Sequence, residues 1–327
     1  MGSEMCIRDR ELGASAIAGI YYLAIYMLGF GFSIGLQVMV ARRNGEQDYK
    51  ETGKTFFQGL FFLLGLAIFL YLLIHTVSPF ILKKLIVSSD IYRAVILYLD
   101  WRSFGLLFSF PFLAIRSFLV GITHTKALSW AAAIAVLINI PLNFYLIFTR
   151  ELGISGAAIA SSLAEMGSFM MLSFYMWIRL DKEKYGLRPV YNGNLLIKVL
   201  KLSIWSMLHA FISVAPWFLF FVSIEHLGKI ELAISNITRS VSAIFFVIAN
   251  SFALTTGSLV SNAIGAGEGK AQMTFLFQVT TTAIYLVYLY WLCRYTQAPL
   301  AIYLTAEYVF VILLATQSIF YLKKKHY

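Results

Sequence analysis

Most of the side chains able to do chemistry in this chain are polar groups set inside long apolar runs. Asn139 and Asn143 stand four residues apart around Pro141, which puts both amides on one helix face. Ser161 and Glu165 have the same spacing, while Arg102, Ser109 and Arg116 recur every seven residues with Asp100 on the opposite face. His209 continues a stripe begun by Ser203 and Ser206 and ended by Ser213. Arg239 and Asn250 belong to a second stripe that runs from Ser235 to Ser261. Amide and hydroxyl oxygens suit hard cations, a carboxyl such as that of Glu165 carries a proton, and an imidazole titrates near neutrality. Each has a plainer reading. Asparagines bond neighbouring helices in membranes, Glu165 pairs with a neighbour such as Arg116, and His209 bonds a backbone carbonyl. Arg116 and Arg239 line a cavity beside acidic partners, while Asp100 and Arg102 lie nearer a helix end and pair or snorkel. The two stripes, on neighbouring helices, predict a shared hydrated cavity.

The elements that hold these groups follow from composition. Hydrophobic residues make up 60% of the chain and charged ones 13%, with a mean hydropathy of +0.77. A membrane span needs about 20 mostly apolar residues. Nine stretches qualify, near 16–41, 55–82, 92–122, 127–149, 153–178, 195–227, 231–264, 271–293 and 299–322. They are continuous rather than alternating, which excludes a β-barrel, so the expected fold is an all-α polytopic membrane protein. Pro111 predicts a kink in the third span. No HExxH, GxSxG or paired-acid pattern argues for an enzyme. Cys6 and Cys293 form no framework.

Loops on alternate sides differ in charge. One set (42–54, 123–126, 179–201, Lys270 and Lys323–Lys325) holds fifteen Lys and Arg, the other six. The positive-inside rule makes the first set cytoplasmic, including the segment 181–194 and the C-terminal lysines. The net charge of +10 therefore reflects topology and lipid headgroups. The basic residues are scattered over loops, which argues against nucleic acid as a partner.

Sliding the chain by 220 residues pairs Ser15 with Ser235, Gly45 with Gly265, Lys50 with Lys270, Gln58 with Gln278 and Pro79 with Pro299. Only 13 of 68 positions over 12–79 are identical, but one register holds across two helices and their loop, as in transporters built from internal repeats. The second copy has a span ahead of it and the first has none, so completing both halves predicts twelve helices, of which about nine are present. The expected division is a non-native leader over 1–11, an N-terminal lobe over 12–180, a cytoplasmic linker over 181–194 and a truncated C-terminal lobe over 195–327.

The ordered segments LGASAIAG…ARRNGEQ, RSFLVGITHTK (116–126), NIPLNFYLIF…LGISGAAIASSLAE (139–165), LAISNITRS and LVSNAIGAGEGK resemble the multidrug and toxic-compound extrusion (MATE) transporters over residues 12–327. The resemblance implies a two-lobed helical bundle of family helices two to about ten. It also implies alternating-access export of drugs and other amphipathic, often cationic compounds against Na⁺ or H⁺, with no other cofactor, by a monomer in a bacterial inner membrane. It makes Asn139, Asn143 and Ser161 the ion-coupling group, to which Glu165 is added as the acid deepest within a span; the polar stripes and the intramembrane arginines make His209, Arg239, Asn250 and Arg116 the substrate-cavity group. Asn143 stands where the family carries an acid, and Ser213 where some members carry a glutamate. The alternatives are a flippase for an anionic lipid-linked oligosaccharide precursor, favoured by the excess of intramembrane arginine, and an inactive fragment.

Overall fold

The computed structural model describes residues 2–228, 230–239 and 271–295, together with the single positions 309, 313 and 316. The helices are α1 (Gly2–Gly45), α2 (Tyr49–Thr76), α3 (Ser78–Leu85), α4 (Ser89–Arg102), α5 (Leu106–Gly121), α6 (Lys126–Phe144), α7 (Gly153–Arg179), α8 (Gly193–Glu225), α9 (230–239) and α10 (Ala271–Tyr295). Among the described residues there is no strand. Six helical stretches among the described residues are long and apolar enough to cross a bilayer, and the apolar part of α10, Val279–Leu292, is shorter. The chain is a multi-pass helical membrane protein. The expected span over 299–322 apart from residues 309, 313 and 316, the expected span 231–264 beyond residue 239, and Asn250 lie outside the described residues.

Two compact units divide the chain: Tyr21–Phe211, and Met1–Ile20 with Ile212–Tyr327. The division falls within α1 and α8 rather than at the 181–194 segment, because each of these helices is long enough to contribute to both units. α1 starts at Gly2, so residues 2–11 are helical.

Within Tyr21–Phe211, α7 packs on α4, α5 and α6, and α2 packs on α5. An 18-residue apolar window of Ser89–Gly121 is 67% buried, whereas the corresponding window of Lys126–Thr149 is 6% buried. Trp130, Leu137, Ile140, Phe144 and Phe148 give the latter stretch an apolar face that is exposed among the described residues. α2 starts at Asp48, whose carboxylate accepts the Glu51 amide at 3.3 Å, satisfying a free donor of the first turn.

Two irregularities shape the interior. α4 and α5 are separated by a 3-10 turn at Ser103–Gly105, so the expected single helix face through Arg102, Ser109 and Arg116 is broken there, ahead of Pro111. α6 passes through Pro141 and ends in a π turn, Tyr145–Thr149. Pro141 has no N–H for the Leu137 carbonyl.

The polar stripe of α8 does not all face a cavity. Ser203 is fully buried and donates to the Val199 carbonyl at 2.8 Å. A side chain on Gly35 would collide with Ser203, and one on Gly31 with the backbone of Ser206 and Met207. Small residues on both helices let the backbones touch, and this close packing replaces the expected hydrated lining at Ser203.

The segment between α7 and α8 is strapped down. The Gln58 amide donates to the Val190 carbonyl at 2.6 Å and accepts the Asn192 amide at 2.8 Å. Tyr185 is buried with its ring edge-on to Phe118 and Tyr49.

Candidate functional site

α6 and α7 bring the first expected group together. The Asn143 side-chain amide donates to Asn139 Oδ1 at 2.8 Å, and the Asn139 amide reaches Ser161 Oγ at 3.4 Å. The second bond is long enough to be weak. All three side chains are half-buried. The i,i+4 spacing around Pro141 makes the first bond, and the packing of α6 on α7 makes the second. The cluster is neutral and offers two amide oxygens and a hydroxyl.

Glu165 lies one turn further along α7 and has a different partner from the one expected. Its carboxylate is held at both oxygens by Arg102, Nη1 to Oε2 at 2.9 Å and Nη2 to Oε1, and the Tyr22 hydroxyl donates to Oε2 at 3.3 Å. The Arg102 guanidinium also lies over the Tyr22 ring, 3.9 Å from its centroid. The pair sits at the 3-10 turn, where Ser162, one turn before Glu165, donates to the Trp101 carbonyl at 3.1 Å. A side chain at Gly105 would strike Arg102, Glu165 and Tyr22 together. The expected ion pair of Glu165 with a neighbour is present, with Arg102 in the place of Arg116. The break between α4 and α5 turns the end of α4 toward α7, and the bidentate fork fits a carboxylate. Asp100, on the other side of α4, lies 3.8 Å from His75.

Arg116 is left without an acidic partner among the described residues. Its guanidinium stands 5.5 Å from the centroid of the Phe30 ring, and its buried Nη1 makes no hydrogen bond. His209 is half-buried on α8 and is not joined to these residues. In the other unit, Arg239 donates to Asn236 Oδ1 at 2.9 Å and stands 5.7 Å from the Phe221 ring centroid, with Nε buried and unbonded. Its expected acidic partner is replaced, in what is described, by an amide one turn away. The coupling group therefore separates into a neutral Asn139–Asn143–Ser161 chain and a charged Glu165–Arg102–Tyr22 cluster. Sequence reasoning missed Tyr22, a tyrosine in an apolar helix with no charged neighbour in sequence.

The MatE family model matches residues 5–145. The chain is 25% identical over 281 residues to a probable multidrug resistance protein NorM of Photorhabdus laumondii, covering 84% of this chain and 61% of the relative. It is 24% identical over 278 residues to the multidrug resistance protein MdtK of Klebsiella pneumoniae, covering 79% and 58%. The chain thus spans about three fifths of the length of these curated relatives. Among solved structures, it matches an inward-facing multidrug resistance MATE family transporter of the MOP superfamily with a TM-score of 0.70 and 16% identity, over 95% of this chain and 72% of the other. It also matches a MOP superfamily transporter of Pyrococcus furiosus, described as having a binding pocket of reverse polarity, with a TM-score of 0.64 and 14% identity, over 98% and 91%. These likenesses show the fold at low identity: the chain has the fold of the MATE transporter structures, and its residues 5–145 match the MatE family model.

Proposed function

We propose that the protein is a secondary active transporter that exports amphipathic organic compounds in exchange for Na⁺ or H⁺ by alternating access. It acts as a monomer in a bacterial inner membrane, with 181–194 and Lys323–Lys325 on the cytoplasmic side. The observation that carries the reading is the hydrogen-bonded chain Asn143–Asn139–Ser161, placed within the helices beside a proline that frees the Leu137 carbonyl. Polar groups are costly inside a bilayer and mark ion or substrate paths there. The names of the NorM and MdtK relatives support the same substrate class. Asn139 Oδ1, Asn143 Oδ1 and Ser161 Oγ are the oxygens on offer to a hard cation. A neutral set holds Na⁺ more weakly than one with a carboxylate, so coupling rests on loose, reversible occupancy.

The test is dye efflux from liposomes that contain the full-length protein, driven by an imposed Na⁺ or proton gradient. The expected outcome is gradient-driven efflux that Asn139→Ala with Asn143→Ala uncouples from the ion. Absence of transport under either gradient sinks the reading, and unchanged coupling in the double variant removes the asparagines from it.

A further inference from the structure

Arg116 differs from Arg102 in lacking an acidic partner among the described residues. Its guanidinium stands beside the Phe30 ring, and one of its terminal nitrogens is buried with no hydrogen bond. A guanidinium stays protonated under all ordinary conditions and carries five donors that match a carboxylate or phosphate. A buried charge with no counter-charge is expensive. The ring face compensates only part of that cost, so the site is electrostatically incomplete. An anion would complete it.

The surroundings give the shape of such an anion. Tyr26 and Phe30 are four residues apart on α1 and share one face. Both are half-buried, so each keeps accessible surface. Tyr26 meets Phe110 of α5 edge to face, with ring centroids 6.1 Å apart. Phe110 is itself fully buried against Gly29, so the accessible aromatic surface beside the guanidinium is that of Tyr26 and Phe30 on α1. Where Arg102 sits on Tyr22 it also grips Glu165; where Arg116 sits on Phe30 no such carboxylate is present among the described residues.

We propose that Arg116 is the anchor for the acidic group of an amphipathic anion, a carboxylate or phosphate monoester, whose apolar part lies along Tyr26 and Phe30. This rests on the transport reading only in treating the anion as a substrate. Two sources share the chemistry: a water-borne amphiphile and an anionic phospholipid of the surrounding bilayer.

The experiment uses the full-length protein in nanodiscs of phosphatidylcholine, with dodecyl phosphate and dodecyltrimethylammonium as probes that share a tail and differ in charge. Binding is read by intrinsic fluorescence. The expected result is that Arg116→Ala weakens dodecyl phosphate at least ten-fold and leaves the cation unchanged, while Arg116→Lys retains part of the anion affinity. A thermal melt of each variant guards against misfolding, and Arg116→Lys serves in its place if Arg116→Ala does not fold, with a loss of three-fold or more expected. Replacing part of the lipid with phosphatidylglycerol divides the sources. Competition with dodecyl phosphate in the wild type but not in the variant supports the site and assigns it to lipid; no competition supports it and assigns it to a water-borne amphiphile. Dodecyl phosphate affinity equal to wild type in a folded Arg116 variant overturns the proposal, and so does equal loss of both probes. Neither outcome touches gradient-driven transport, which is measured separately.

Discussion

Arg102 and Arg116 stand fourteen residues apart between α4 and α5, in the same unit, each beside an aromatic ring of α1. At Arg102 the surroundings are complete: a bidentate carboxylate, a tyrosine hydroxyl and a glycine that leaves room for them. At Arg116 the ring is present, and no acid pairs with it among the described residues. The same residue type in one span thus does two jobs. The first arginine ties α4 to α7 and α1, and the second is left able to receive something. A buried ion pair is weak evidence for stability in itself, yet removing one partner is severe, because the other charge is stranded.

That asymmetry sets the largest expected effect. Arg102→Ala strands Glu165 and should cost about 3–5 kcal/mol, read as a large drop in the melting temperature of the purified protein. Arg102→Met combined with Glu165→Leu removes both charges and should recover most of that loss. If Arg102→Ala melts like the wild type, the clamp is not a structural tie and the contrast with Arg116 collapses.

Gly105→Ala comes next. An added methyl would strike the guanidinium, the carboxylate and the Tyr22 hydroxyl at once, and overpacking of this kind costs about 1–3 kcal/mol. A Gly105→Ala variant that melts within error of the wild type would show that the cluster yields easily.

Much of the architecture was legible before any coordinates. The spans followed from hydropathy, and the Asn139–Asn143 bond followed from an i,i+4 spacing that any helix enforces. What failed to show was the partnership of Glu165. Counting Arg102, Ser109 and Arg116 on one face assumes unbroken helical pitch, and the 3-10 turn at Ser103–Gly105 breaks it. Arg102 is 63 residues from Glu165, so no local periodicity links them. Gly105 was one glycine among the 22 in the chain, and its role depends on three side chains from three helices. Similarly, the α8 stripe reads as a polar face, but a serine opposite a glycine serves close packing as readily as water.

A finer cut tests whether the hydroxyl or the ring of Tyr22 matters. Tyr22→Phe keeps the ring under Arg102 and deletes the 3.3 Å bond to Glu165, for a cost of about 0.5–1.5 kcal/mol. A larger loss would mean that the hydroxyl orients the carboxylate. No loss would leave the Arg102 fork as the whole of the clamp.

The smallest expected effect is the most telling. Arg116→Met keeps much of the apolar stem, removes the charge and strands no acid among the described residues, because Arg116 pairs with none there. Without ligand, its melting temperature should equal or exceed that of the wild type, since an uncompensated buried charge is lost. Arginines in one span, each on an aromatic ring of the same helix, would then differ in sign: removing Arg102 destabilises and removing Arg116 does not. A drop comparable to that of Arg102→Ala would mean that Arg116 has a structural counter-charge, and the two regions would be alike after all.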